Sequence, residues 1–241
     1  MRPMQRWLVE LNGEHADIEE FPKRFPDGDV YAVAENGKVY LTGPAFDQFS
    51  EGQSVRNHAM GVVDEMSAVI AMLWAPFRKP QVGSVVREDG CGGRSAWAFP
   101  QGVVARAKLG AIQAQVLQHG QALPAGPTHA QQLLTASRTT EYLHAATLLW
   151  VPTDPTWGQL YRIVEELTQH LGMTPAKARL CSKNELKRFK RTANSADASG
   201  LGARHRTGKG EPPKNPMTLE EAATFVKGLL ESALGRAVAI A

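Results

Sequence analysis

"VYAVAENGKVYL", residues 30 to 41, decides the fold class of this chain. Two runs rich in Val and Tyr flank Asn36-Gly37, the pair that best tolerates the two positive φ angles of a type I′ turn, so an antiparallel hairpin is expected. Working outward, Arg6 to Leu11 alternates as a further strand and Ile18 to Phe25 reads as a short helix, giving the order β-α-β-β. Downstream, Val55, Ala59, Val62, Val63, Met66, Ile70 and Leu73 fall on one face of a long helix that starts near Ser54 and is closed by Pro76. "VGSVVREDGCGGRSAWAF", residues 82 to 99, then reads as two strands around a glycine-rich turn, with Val82, Val85, Trp97 and Phe99 in the core. Residues 1–107 are thus expected to form a small mixed β/α domain, and the chain is α+β.

From Ala111 to Ser137 the composition shifts to alanine and glutamine around "ALPAGPT", so residues 108–137 are expected to be a connection. Residues 138–241 read as a helical domain with a long basic loop. Tyr142, Ala145, Ala146, Leu149 and Trp150 share a face, and Asp154-Pro155 offers an N-cap followed by proline at the first helical position. The next helix turns Trp157, Leu160, Tyr161, Val164, Leu167 and Leu171 inward and Arg162, Glu165, Glu166 and Gln169 outward. Ser182 with Glu185, and Thr218 with Glu221, are capping boxes that open a short basic helix and a last helix with Leu219, Ala222, Val226, Leu229, Leu230 and Ala233 apolar.

Composition narrows the function classes. The 241 residues are 43% hydrophobic and 21% charged, ordinary globular values. The longest apolar run, Ala68 to Ala75, is too short to cross a bilayer. The N-terminus soon meets Glu10, Glu14 and Asp17 and lacks a secretion signal, so a cytoplasmic protein with no membrane partner is expected. Cys91 and Cys181 form no disulfide framework, and the histidines form no H-x-x-x-H spacing, so no metal is expected. "GCGGR" and "GLGARH" lack phosphate-loop spacing and read as turns, and no cofactor is expected.

Charge distribution is more informative. Net charge is +3, yet Pro175 to Asn215 holds eleven Lys and Arg against Glu185, Asp197 and Glu211, a local excess of eight that leaves −5 elsewhere. On the basic helix, Leu186, Phe189 and Ala193 pack inward, which sets Lys183, Lys187, Lys190 and Arg191 along the opposite side. In the loop beyond, Arg204, Arg206 and Lys209 stand beside glycines whose backbone N–H groups can converge on an anion, and arginine forks match phosphate oxygens. These seven residues are the candidate anion-binding set. His205, between two arginines whose field favours the neutral ring, is the candidate acid or base, with Asp197 and Glu211 as local orienting carboxylates.

Three readings follow. The first is a binding or adaptor protein holding an anionic partner, whether a nucleic-acid backbone, a phosphate ligand or an acidic protein. The second is an enzyme acting on a phosphorylated substrate, with His205 as acid or base and Arg204 and Lys209 as clamps. The third is a helical protein–protein interaction module, which would show apolar surface patches.

Finally, "WGQLYRIVEEL" with "SKNELKRFKRTANSADASGLGARH" and "PPKNPMTLEEA" resembles the signature of a bacterial protein family of unknown function over roughly residues 155 to 235. The resemblance rests on W-x-x-L-Y, F-K-x-T-A-N, A-R-H and P-P-x-N-P-M-T-L-x-E-A, and it implies no activity, ligand or catalytic residue.

Overall fold

Strand β1 (Arg6–Asn12) is the middle of a five-stranded antiparallel sheet in a computed structural model that describes residues 6–74, 76–89, 93–97, 117–118, 121–122, 126–150, 155–199 and 213–240. It buries Trp7, Leu8, Val9 and Leu11, so both its faces are covered. The other strands are β2 (Tyr31–Glu35), β3 (Lys38–Thr42), β4 (Gln81–Glu88) and β5 (Arg94–Trp97), in the order β2-β3-β1-β4-β5. The hairpin forms where Asn36-Gly37 placed it, with φ of 53° and 76° at those residues and Glu35 opposite Lys38. Helices α1 (His15–Ile18) and α2 (Glu20–Arg24) fill the β1–β2 connection.

Helix α3 (Gly52–Leu73) lies on β1, β4 and β5 and buries the expected face, including Val55, Ala59, Val62, Val63, Met66 and Ile70. It begins at Gly52, where an added Cβ would sit 2.5 Å from the Trp97 ring. The missing side chain lets that ring close against the helix and meet Trp7 at 5.4 Å between centroids. Val82 and Val85 are buried as expected and Trp97 is half-buried, while Phe99 falls outside the described residues.

The chain divides into two units, Met1–Gln132 and Leu133–Ala241. The division falls inside α4 (His129–Ser137), at the end of the stretch read as a connection, which also carries the two-residue strands β6 (Leu117–Gln118) and β7 (Gln121–Ala122), paired antiparallel. The fold is α+β, with the sheet in the first unit and helices in the second.

The second unit contains α5 (Glu141–Leu148), α6 (Trp157–His170), α7 (Lys183–Ala193), α8 (Ala196–Ser199) and α9 (Leu219–Ile240). Helix α6 packs on α5, α7 and α9. At their junction Phe189 is fully buried, with ring centroids 6.3 Å from Trp157, 6.1 Å from Tyr161 and 5.6 Å from Phe225.

Four details depart from the sequence reading. Thr140 caps α5 and accepts from the Leu143 N–H, so Leu143, Ala146 and Thr147 face inward and Tyr142 is exposed. Thr156, in a capping box with Gln159, opens α6, so Pro155 precedes the cap and Asp154 is outside the described residues. Glu166 is buried, because Arg162 one turn earlier holds its carboxylate at 2.6 Å. Leu219 is exposed, since α9 enters the core only from Ala222 onward. Among the described residues no helix is long and apolar enough to cross a membrane.

Candidate anion-binding site

The basic helix is fixed at both ends and on its buried face, which determines where its cations point. At its start the Ser182 hydroxyl accepts from the Glu185 N–H at 3.1 Å while Glu185 accepts from the Ser182 N–H at 3.0 Å. These hydrogen bonds from Ser182 hold the Glu185 carboxyl below its ordinary range. The one carboxylate within α7 is thereby committed to its cap, about 160° round the helix from Lys183. At its end Asn194 donates from Nδ2 to the Lys190 carbonyl at 2.9 Å.

Leu186, Phe189 and Ala193 are buried as the spacing required, and two further residues tie α7 to the chain that leads into α9. Arg188 donates to the carbonyls of Asn215 at 2.7 Å and Pro216 at 3.1 Å, and pairs with Glu221 at 3.0 Å. The Thr192 hydroxyl donates to the Arg188 carbonyl at 2.9 Å and accepts the Met217 N–H at 3.1 Å. Thr192 of the F-K-x-T-A-N stretch, with Arg188 just ahead of it, therefore forms one hydrogen-bonded joint with Asn215, Pro216 and Met217. Glu221 also accepts the Thr218 N–H, completing the second expected capping box.

The opposite side of α7 borders an open cleft of about 660 Å³, closed on its other flank by the turn that contains Thr174 and Ala176. Lys183, Lys187, Lys190 and Arg191 all line it, as does Lys177 from that turn. Leu186 and Ala176 supply an apolar floor, and Thr174, Asn194 and Ser195 supply polar groups. Among the described lining residues there is no carboxylate and no imidazole. Lys177, Lys183, Lys187 and Lys190 have no ion-pair partner among the described residues. Asn194 Oδ1 is buried without a hydrogen-bond partner among the described residues, while Nδ2 is used by the Lys190 carbonyl.

Helix electrostatics account for part of this arrangement. Lys190 and Arg191 lie in the last turn of α7, where a helix stabilises positive charge. Lys183 lies in the first turn, where the helix opposes it, and Lys177 is outside the helix altogether. Like charges gathered in a concave surface raise the local potential and favour an anion.

Of the seven expected anion-binding residues the structure brings together Lys183, Lys187, Lys190 and Arg191. Arg204, Arg206, Lys209 and the candidate acid or base His205 lie outside the described residues. Lys177 was not singled out from the sequence, because it precedes the helix whose periodicity selected the others. Cys181, just before α7, is a free thiol that burial, and then the Glu185 charge, push up in pKa, which disfavours the reactive thiolate. Compared with family models, curated proteins and solved structures, the chain matches none.

Proposed function

We propose that this chain is a binding protein that holds a phosphate-bearing anion in the cleft beside α7. The observation that carries the reading is the convergence of Lys177, Lys183, Lys187 and Lys190, none with an ion-pair partner among the described residues, on a cleft whose described lining has no carboxylate. An anion there relieves mutual repulsion among the cations, and the Thr174 and Ser195 hydroxyls and Arg191 add donors. The cleft volume of about 660 Å³ is that of a compact ligand site.

The enzymatic alternative rests on His205, Arg204 and Lys209, outside the described residues, and no described carboxylate or imidazole lines the cleft to take their place. An apolar docking module is disfavoured by what is exposed: Met60, Tyr142, Met173 and Leu219 come from separate elements or turns. Binding without chemistry is the reading retained.

Titration calorimetry of the full chain with inorganic phosphate and pyrophosphate tests it. Binding should weaken as salt rises and be tighter for pyrophosphate, and Lys187→Glu should lower affinity about tenfold, the equivalent of ~1.4 kcal/mol. No binding of either anion at low salt, or binding indifferent to salt, would overturn the proposal.

A further inference from the structure

Lys190 is shared. Besides the basic cleft it lines a second one of about 500 Å³ on the α6 side, whose chemistry is different. There two cations, Lys190 and Arg162, face two carboxylates, Glu165 and Glu166, so formal charge cancels. Tyr142 and Tyr161 supply aromatic rings, the first exposed and the second stacked behind on Phe189 at 24° between planes. Thr168 and Gln169 add a hydroxyl and an amide, each able both to donate and to accept.

A net-neutral cleft with ring faces and mixed donors and acceptors suits a neutral planar heterocycle better than an ammonium, which would meet two cations, or a second phosphate, which would meet two carboxylates. Resting on the phosphate reading above, we infer that the ligand is a nucleotide, its phosphate in the lysine cleft and its base in the tyrosine–glutamate cleft on the other side of Lys190. The sugar that joins the two would pass Asn194, which lines the lysine cleft one helical turn beyond Lys190. A free nucleotide and one unit of a single strand present the same chemistry, and stacking on a tyrosine serves both.

Calorimetry on the full chain with inorganic phosphate, ribose 5-phosphate, AMP and a ten-nucleotide oligoadenylate tests this. AMP should bind about tenfold or more tighter than ribose 5-phosphate, the increment expected of one stacked base. Tyr142→Ala should remove that increment and leave phosphate binding unchanged, and Gln169→Ala gives an independent reading on an exposed position of the same cleft. Oligoadenylate tighter than AMP, with a steeper salt dependence, identifies a strand as the source, and equal affinity identifies the free nucleotide. Equal binding of AMP and ribose 5-phosphate, or an AMP increment that survives both substitutions, overturns the nucleotide inference while phosphate binding stands. Loss of all binding, phosphate included, overturns the underlying reading instead.

Discussion

The sheet of the first unit and the α7 face of the second treat charge in opposite ways. Around the sheet, among the described residues, cation after cation has a carboxylate: Lys38 meets Glu10 at 2.7 Å, Arg94 meets Glu88 at 2.9 Å, Lys79 meets Asp64 at 2.8 Å, and Arg6 pairs with Glu35. Along α7 Arg188 is matched in the same manner, whereas Lys183, Lys187 and Lys190 are not matched among the described residues. The lesson is that pairing, and not the number of cations, separates a surface that stabilises itself from one that awaits a ligand.

Removing the platform is the most severe way to break this contrast. Phe189→Ala empties the centre of the Trp157, Tyr161 and Phe225 cluster and should destabilise the second unit by about 3–5 kcal/mol in urea denaturation. Phosphate binding should fall with it. Next in size, reversing Lys187 and Lys190 together should cut phosphate affinity by well over about tenfold and lower stability by no more than about 1 kcal/mol, since neither lysine has an ion-pair partner among the described residues and Lys190 gives up only its favourable place in the last turn of α7. A calorimetric loss accompanied by an equal loss of stability would show that the lysines hold the fold.

Lys38→Met supplies the mirror image in the sheet. It should leave phosphate binding alone and lower stability by about 1 kcal/mol or less, because Lys38 is half in water. Burial alone pushes the Glu10 carboxyl up, but the hydrogen bonds from Lys38 and Ser84 and the Lys38 charge outweigh it, so its pKa lies below 4.5. That contribution is therefore complete above about pH 4.5 and disappears as pH falls through the depressed folded value, a dependence that Lys38→Met should flatten. The smallest effect belongs to His170, whose pKa burial pushes down and whose Nδ1 lies 2.8 Å from the Thr140 hydroxyl. With its folded pKa lowered, its contribution is present above about pH 6.5 and lost as pH drops below that. Acid denaturation followed by Trp fluorescence should thus show a slight early loss that His170→Asn removes, before the carboxylates of the sheet titrate.

Much of the fold was legible because local chemistry and burial agree. Asn36-Gly37, the α3 stripe and both capping boxes needed nothing beyond their own neighbours. Readings failed where a residue a turn or less away changed the outcome. Thr140 shifted the buried face of α5 to Leu143, and Arg162 allowed Glu166 to be buried. For the site, period alone placed four cations on the outer side of α7, since Leu186, Phe189 and Ala193 fix its rotation. Lys177 escaped because it reaches the cleft from a turn with no period to read, and the neighbouring tyrosine–glutamate cleft escaped because α5, α6 and α7 together make it.

The joint between Arg188, Thr192 and Met217 has one more effect, on chain length. It holds together two points far apart in sequence, and the entropic cost of such a closure rises by only about 0.6 kcal/mol for each doubling of the number of residues between them. A change at the clasp should therefore cost the second unit more than a change in the number of residues that it encloses.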